Sequence, residues 1–402
     1  MSEYINNQTK RKETLKRVIR QLHAGKSVEE VKGEFAALLQ DVGATDIATI
    51  EQELVEEGMP AEEIKHLCDV HVAVFRESLE EQEKPDTIPG HPAYTFLAEN
   101  GAAGRVLDKL EQAIGASEWE RARERLQELR KYEVHYVRKE NILFPFLEKH
   151  GFTGPSAVMW AIHDDVRAGW KKLDQLLAGE PDEESVAEVF EPLATAIREM
   201  FYKEENILYP TALEKLSGEE WYHIRQQSPE TGYCYVQPGD QWPPKETALE
   251  STLALTGAVV EEAPISSGGL LHLDTGTLTP QEINRLLIHL PVDVTYVDAE
   301  DTVRYFSQGR ERIFPRSPAI IGREVQKCHP PSSLDRVQQI LDDFRSGHRD
   351  EAEFWIQMGS KFIHIRYFAI RDESGHYQGT LEVSQDVTHI RVLEGERRLL
   401  DE

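Results

Sequence analysis

The sequence predicts a multidomain protein with helical domains in its first half and an α+β domain with an antiparallel sheet at its C-terminal end. Its 402 residues suffice for two to four domains at about 100–200 residues per domain. Over the first 216 residues, apolar residues recur at the spacing of amphipathic helices. After residue 278, short segments separated by Gly, Asp and Ser instead indicate strands and turns.

The first predicted element is a small all-helical domain over residues 1–84. Ser27 and Glu30 form a capping box that begins one of its helices. A later helix carries Cys68 and His71 one turn apart among apolar residues. Two such side chains do not make a metal site, so the pattern favours packing in a core and leaves the role of this pair open.

Four long helical patterns follow and indicate a four-helix up-and-down bundle over residues 88–218. The segment Lys139-Glu-Asn-Ile-Leu-Phe-Pro near the end of the second helix recurs as Glu204-Glu-Asn-Ile-Leu-Tyr-Pro near the end of the fourth. This repeat predicts two helix hairpins related by an approximate twofold, with equivalent positions facing each other across the core. The four patterns cover about residues 92–114, 119–150, 156–178 and 183–216.

Each helix of the bundle contributes one candidate metal ligand, and these are His91, His135, His163 and Glu204. His163 and Glu204 share faces with apolar residues, where a carboxylate is costly to bury without a positive partner. Imidazole and carboxylate donors together suit a first-row transition metal such as iron. The alternative is four separately satisfied residues, with Glu204 paired to Lys139 or to an arginine.

Beyond the bundle, residues 228–275 are rich in proline and contain a Ser-Ser-Gly-Gly run, so they are predicted to form a linker with one docked helix around 249–255. The α+β domain is predicted over residues 277–395. Residues 396–402 end a short charged helix that begins at Ile390. The predicted strands are 292–297, 303–306, 353–358, 361–371 and 377–383, with helices at 280–289 and 335–344.

Composition and charge narrow the class of protein further. The net charge of −27 disfavours direct binding to nucleic acid or to anionic membrane surfaces. The three cysteines form no Cys-x-x-Cys pair, which argues against a disulfide framework and fits a reducing compartment. No signal peptide is recognised, and no apolar run reaches the ~18 residues that span a bilayer. We therefore expect a cytoplasmic protein without a direct nucleic-acid or membrane partner.

Residues 88–216 resemble the hemerythrin-like (HHE cation-binding) family. The resemblance depends on His91, His135 and His163 and on the Glu-Asn-Ile-Leu-Phe-Pro signature in the second helix. Members of this family hold a non-haem iron pair in a helical bundle. The resemblance implies that His91, His135, His163 and Glu204 bind one or two iron ions.

Two positions depart from the family pattern. Where the family has Glu on its second helix and His on its fourth, this sequence has Lys139 and Met200. Glu140 follows Lys139 and is turned by a further ~100° around the helix, yet it stays a candidate ligand, as does Glu205. A mononuclear or asymmetric site is therefore open beside a diiron site.

The flanking regions also resemble known families. The first 85 or so residues, with Leu67-Cys-Asp-Val-His71, resemble an uncharacterised helical domain of bacteria and archaea that often precedes such bundles. Residues 277–395 resemble a PAS domain, in segments such as Glu353-Phe-Trp-Ile356 and the final Leu381-Glu-Val-Ser-Gln-Asp-Val-Thr388. PAS domains bind small ligands or mediate dimerisation. The resemblance implies an unidentified PAS ligand and a homodimer formed through this domain.

Within the PAS-like region, Cys328 and His329 are weak candidates for a cofactor site, because either side chain can ligate haem iron. The alternative is a helix-ending turn, since two prolines follow directly. A short motif without structural context often arises by chance, so the turn is the favoured interpretation.

The leading hypothesis is a sensor in which the bundle binds iron and responds to oxygen, nitric oxide or redox state. The PAS domain would relay this signal to a separate signalling partner protein. One alternative is an iron-dependent enzyme or iron-centre repair protein that handles oxygen, peroxide or nitric oxide. No Ser-His-Asp set, phosphate-binding loop or kinase signature is recognised, so an ordinary hydrolase or ATP-dependent enzyme is not supported, and a regulator is favoured over an enzyme. A metal-free interaction scaffold, marked by Lys139 and Met200, is the other alternative.

Overall fold

The computed structural model describes residues 88–243, 270–309 and 312–396, together with isolated residues between Thr14 and Glu53. The chain divides into two compact units, 1–251 and 252–402. Most of the predicted N-terminal domain, including Cys68 and His71, lies outside the described residues, as does the helix predicted around 249–255.

The first unit contains the predicted bundle, in which each helix contacts the next and the fourth contacts the first. Helix α1 spans Pro92–Gly115 and α3 spans Gly154–Ala178. The other two are long helices made of consecutive segments. Helix α2 comprises Trp119–Leu129, a 3₁₀ turn Arg130–Tyr132, Glu133–Arg138, a π-helical turn Lys139–Leu143 and Phe144–Lys149, and α4 comprises Glu183–Lys203, a π-helical turn Glu204–Leu208 and Tyr209–Lys215.

The two π-helical turns coincide with the two copies of the sequence repeat. Pro145 and Pro210 follow shortly after them, and a proline removes one backbone N–H donor from the helical hydrogen-bond ladder. Asn141 donates from its side-chain amide to the Val137 carbonyl, and Asn206 donates in the same way to the carbonyl of Tyr202. The repeat therefore produces the same local widening in both helices, and each copy opens with the residue that faces the bundle core.

The bundle is followed by a fifth helix and a segment that covers one end of it. Helix α5 spans Gly218–Thr231 and begins with a capping box in which Ser217 and Glu220 satisfy each other's backbone N–H groups. Residues 232–242, which we call the strap, then return to α1. The Gln241 N–H donates to the Pro89 carbonyl, and Arg225 donates to the carbonyls of Gly90 and Gly239.

This arrangement corrects the predicted linker start at residue 228. Residues 228–231 belong to α5, because that helix buries Trp221 and Ile224 against the bundle. The strap is tied down by backbone hydrogen bonds, which the composition of the segment does not reveal. Within the described residues, none of the helices combines the length and apolar character needed to cross a membrane.

The second unit contains a five-stranded antiparallel sheet, whose strands lie in the order Val303–Phe306 (β4), Asp293–Asp298 (β3), Tyr377–Asp386 (β7), Lys361–Arg371 (β6) and Glu351–Met358 (β5). Its apolar core forms on this sheet around Val297, Val303 and Phe306 at one end and Ile363 and Ile365 at the other. The elements are a hairpin of β1 Leu271–Leu273 and β2 Gly276–Leu278, then α6 Pro280–His289, β3 Asp293–Asp298, β4 Val303–Phe306, α7 Leu334–Ser346, β5 Glu351–Met358, β6 Lys361–Arg371 and β7 Tyr377–Asp386, with 3₁₀ turns at Pro318–Ile320, Val325–Cys328, Pro331–Ser333 and Ile390–Val392.

The structure confirms the predicted fold class, with helices in the first unit and an α+β domain in the second. The predicted C-terminal helix from Ile390 is wrong over the described residues, which form a single 3₁₀ turn and then leave helical geometry. Val392 is 71% and Leu393 is 62% exposed. Burial of an apolar face, which stabilises most short helices, is therefore lacking here.

Candidate functional site

The core of the bundle contains a cluster of charged and polar side chains from all four helices. Glu99 of α1 is fully buried and accepts hydrogen bonds from Arg138, whose Nη2 lies 2.6 Å from its Oε2. Nδ1 of His135 lies 2.9 Å from the same carboxylate oxygen. The strap closes this side of the cluster, because the Cys234 N–H donates to Glu99 and the Gly232 carbonyl accepts from Arg138.

Glu204 of α4 is the central carboxylate of the cluster. Its Oε2 lies 3.0 Å from Nε2 of His135 and accepts from the Tyr209 hydroxyl at 2.9 Å. Its other oxygen, Oε1, accepts from the ammonium group of Lys139 on α2. Burial favours the protonated form of Glu204, but Lys139 and His135 more than offset this and lower its pKa to about 2. Glu204 is therefore a buried carboxylate that is paired within the protein.

His163 of α3 also uses both of its ring nitrogens. Burial and the nearby Lys139 and Arg167 lower its pKa well below the ordinary value, so the ring is neutral. Nδ1 donates to Glu140 at 2.8 Å, and Nε2 accepts from Lys139 at 2.9 Å. Glu140 in turn is held by two parallel hydrogen bonds from Arg167, each 2.9 Å long. Tyr136 stacks on the His163 ring with centroids 4.1 Å apart and fixes its orientation.

His91 has a different role from the other candidate ligands. It is the N-cap residue of α1, and its Nδ1 accepts from the Ala93 N–H at 3.1 Å. Its ring packs against Trp221 of α5 and Trp242 of the strap, each with centroids 4.7 Å away. Burial lowers the pKa of His91 to about 4, so the ring is neutral at physiological pH. The structure therefore places His91 in the contact between the bundle and the strap.

The side chains of the cluster do not fit a metal ion as they are arranged. Among the residues that the structure describes, no three His, Cys, Asp or Glu side chains are placed to hold one metal. The lone pair that His163 would offer a metal accepts from Lys139 instead, and a protonated lysine has no lone pair to donate. In the described part of the bundle, the buried side-chain atoms without a hydrogen-bond partner include Asn100 Nδ2, the Tyr136 and Thr211 hydroxyls and the Trp170 N–H, and none of these belongs to the imidazole and carboxylate donor set.

Sequence reasoning identified part of this cluster. His135, Glu140, His163 and Glu204 are brought together, whereas His91 lies apart from their contacts. The pairing of Glu204 with Lys139 is the one that the alternative interpretation named. Glu99, Arg138 and Tyr209 were missed, although a Glu and an Arg on the apolar faces of α1 and α2 are signals that could have found them.

The PAS-like unit buries a second ion pair. Arg316 donates to Glu382 on β7 at 2.8 Å and also to the Thr295 hydroxyl on β3. Burial opposes ionisation of Glu382, but Arg316 outweighs it and holds the pKa of this carboxyl below its ordinary value. The pair thus joins the two neighbouring central strands to the loop that carries Arg316.

The weak cofactor candidates Cys328 and His329 lie in a turn. Cys328 ends the 3₁₀ turn and packs beside the apolar cluster of β3 and β4. His329 donates from Nδ1 to the Val325 carbonyl at 2.8 Å, and burial lowers its pKa. This geometry supports the turn interpretation, in which both side chains complete local packing.

A cleft of about 710 Å³ opens at the end of the sheet where β6 begins and β7 ends. Its lining combines apolar side chains with a few charged and hydroxyl groups. Lys361 and Asp386 lie opposite each other within it, with Nζ and Oδ2 3.7 Å apart. The lining residues are Pro291, Val292, Arg312, Ile313, Lys361, Asp386, Thr388, His389 and Val392.

Comparison with known families finds three matches along the chain. Residues 15–81 match a family of unknown function named DUF438. Residues 91–212 match the hemerythrin HHE cation binding domain, and residues 283–388 match the PAS domain. The order of these matches confirms the resemblances noted in the sequence.

Three similar solved structures each match between 27% and 31% of this chain. The C-terminal domain of a Streptococcus mutans protein is 34% identical, and the match covers 31% of this chain and 98% of that one with a TM-score of 0.30. A PAS domain from Colwellia psychrerythraea is 15% identical over 27% of this chain and 97% of its own, with a TM-score of 0.23. A sensory box sensor histidine kinase from Vibrio cholerae is 14% identical over 27% of this chain and 90% of its own, with a TM-score of 0.22. No curated protein matches the chain.

Proposed function

We propose that this chain, in which a DUF438 domain, a hemerythrin HHE cation binding domain and a PAS domain follow one another, is a sensory regulatory protein. The cleft of about 710 Å³ in the PAS unit is the observation that carries the proposal. Its size lies within the ~300–1,000 Å³ range of small-molecule sites in proteins. The PAS domain binds a small ligand there, and the bound state is read by a separate protein partner.

The lining of the cleft indicates the chemistry of this ligand. Val292 and Ile313 offer apolar contact, while Lys361 and Thr388 at the start of β6 and after β7 offer polar contact. Small-molecule sites commonly combine an apolar wall with a few polar groups that fix orientation. A ligand with an apolar body and one polar or anionic end is the best match.

The position of the cleft gives a route for the signal. Lys361 opens β6 and Asp386 ends β7, and these two strands are paired along their length. A ligand that separates the Lys361 and Asp386 side chains acts directly on the ends of these central strands. A partner that contacts the same sheet then distinguishes the free and bound states by its differential affinity for them.

A metal-dependent form of this function is the second candidate, and the match of residues 91–212 to the HHE cation binding domain favours it. In that form the bundle holds iron through His135, His163 and Glu204 and senses oxygen, nitric oxide or redox state. It requires Lys139 to leave both His163 and Glu204, because its ammonium group is hydrogen-bonded to both.

The PAS-ligand proposal is tested by a thermal-shift screen of a metabolite library on the full chain and on Val292→Trp. The larger indole should fill the cleft, so compounds that raise the melting temperature of the wild type should lose this effect in the variant. Leu286→Trp on α6, where Leu286 is 57% exposed and outside the cleft lining, is the matched control. Equal shifts in both variants, or no shift with any compound, would contradict the proposal.

A further inference from the structure

We infer that the Lys139 ammonium is the resident cation of this bundle and takes the place of a metal ion. The inference concerns the first unit and goes beyond the ligand proposed for the PAS cleft. Three features of the cluster support it, namely the symmetry of the repeat, the pairing of the buried charges and the use of the histidine lone pairs.

The sequence repeat places Lys139 and Glu204 at equivalent positions, because each opens its copy of the Glu-Asn-Ile-Leu segment and its π-helical turn. Equivalent positions of α2 and α4 face each other across the core, and these two side chains are in direct contact. Two carboxylates at these positions would need a cation between them. With Lys139 at one position and Glu204 at the other, the lysine ammonium itself is that cation.

Each buried carboxylate around the pair already has a cationic side chain as its partner. The three buried carboxylates of the cluster are Glu99, Glu140 and Glu204. Arg138 pairs with Glu99, Arg167 with Glu140 and Lys139 with Glu204. His135 also contacts the carboxylates of Glu99 and Glu204. A divalent metal would add two positive charges beside a buried ammonium, where low dielectric makes like-charge repulsion strong.

The ring nitrogens of His135 and His163 also face partners within the cluster. His163 is held as the tautomer whose Nδ1–H donates to Glu140, which leaves its Nε2 lone pair facing Lys139. Both ring nitrogens of His135 face carboxylate oxygens, those of Glu99 and Glu204. The cluster thus offers the Lys139 ammonium two acceptors, His163 Nε2 and Glu204 Oε1, for its three N–H donors.

The first test is the metal content of the full-length wild-type chain, purified without chelator and then incubated anaerobically with Fe(II) and, separately, with Zn(II). After gel filtration, inductively coupled plasma mass spectrometry should find far less than one metal per chain. The melting temperature should be the same with added metal and with EDTA. One or two tightly held metals per wild-type chain would overturn the inference, whether or not the protein responds to a PAS ligand.

The second test replaces Lys139 by glutamate in order to turn the cluster into a metal-binding site. Lys139→Glu places a carboxylate opposite Glu204 and frees the His163 lone pair, so this variant should retain about one Zn(II) or Co(II) per chain and gain thermal stability when the metal is added. Co(II) bound by these donors should add visible absorption bands. A folded Lys139→Glu protein that binds no metal would contradict the assignment of this position.

Two control variants test whether metal binding depends on the charge of the side chain at position 139 or on its size. Lys139→Met keeps the length of the side chain without its charge or its N–H donors, and because it adds no anionic ligand it should retain less Zn(II) or Co(II) than Lys139→Glu. The exchange Lys139→Glu with Glu204→Lys restores one cation and one carboxylate in reversed order, and it should be metal-free. Metal retention by the exchange variant, in which a lysine again faces a glutamate across the core, would show that a lysine ammonium does not take the place of the metal ion.

Discussion

Lys139 is a charged side chain with no exposure to solvent, and its partners lie on two other helices. Removal of one member of a buried ion pair leaves the other charge desolvated and uncompensated. Lys139→Met should therefore lower the free energy of unfolding of the helical unit by about 3–5 kcal/mol. Urea unfolding followed by far-ultraviolet circular dichroism measures this loss.

Lys131→Met is the matched control for this prediction, since Lys131 is exposed on the same helix. Surface substitutions of this kind usually change stability by about 0.5 kcal/mol or less. Equal changes in the free energy of unfolding in the two variants would show that the buried contact of Lys139 with Glu204 does not stabilise the helical unit.

Glu382 makes the stability of the PAS unit depend on pH. Because Arg316 keeps its folded pKa below the ordinary 4.5, the ion pair stabilises the fold above that pH and loses its contribution as the pH falls through the folded pKa. In Arg316→Met, burial without a cation should instead raise the folded pKa, so stability should increase on acidification from neutral pH.

Melting temperatures of the PAS unit measured from neutral pH down through about pH 4 test this change of sign. Arg304→Met is a suitable control, since Arg304 is 61% exposed on neighbouring β4. Parallel pH profiles for the wild type and Arg316→Met would be inconsistent with a buried pair.

At the level of single residues, the sequence predicted which side chains would meet in the bundle better than it predicted their chemistry. His135, His163 and Glu204 were found because polar residues on apolar faces are conspicuous. The choice between a metal and Lys139 depends on rotamers and on distances of about 3 Å, which periodicity does not contain.

Among the elements, the strap is held by close backbone contact at Gly90. This glycine has a φ of +104°, and a Cβ atom there would lie 2.7 Å from the Gly239 carbonyl oxygen. Gly90→Ala should therefore displace the strap and expose Trp242, which packs on His91. Hydrogen exchange of residues 232–242 should become at least about tenfold faster, equivalent to a loss of about 1.4 kcal/mol.

Gly115→Ala is the control for this element, because Gly115 ends α1 and a Cβ there meets nothing within 4 Å. It should leave exchange in the strap unchanged and stabilise α1 by up to about 1 kcal/mol. Slow exchange of the strap in Gly90→Ala would mean that other contacts hold it.

Element boundaries in the bundle followed from sequence because α1 to α4 carry long apolar periods and short breaks. The strap and the π-helical turns could not be predicted from the sequence, and the physical reason differs between them. The strap depends on a hydrogen bond between two distant backbone groups, the Gln241 N–H and the Pro89 carbonyl. The π-helical turns shift the register within a helix whose apolar periodicity hardly changes, so the pattern reads as one continuous helix.

For the whole molecule, the predicted homodimer has a candidate surface on edge strand β5. Phe354, Trp355, Ile356 and Met358 are each at least 36% exposed there, and Trp355 is 61% exposed. Exposed apolar edge strands favour pairing with another chain. The full chain should sediment as a dimer at micromolar concentration, and Trp355→Lys should shift it to the monomer.

Leu286→Lys is the control for assembly, because Leu286 is 57% exposed on α6 and lies outside the sheet. It should sediment like the wild type. A monomeric wild type, or a Trp355→Lys variant that stays dimeric, would remove β5 as the dimer surface.

The proposed role of Lys139 as the resident cation of the bundle applies to the full-length protein. Native mass spectrometry of the full-length protein, compared with the same sample under denaturing conditions, tests this most directly. Equal masses per chain are expected in the two spectra, since Lys139 is part of the polypeptide. A native mass excess equal to one or two iron ions per chain, lost on denaturation, would contradict it.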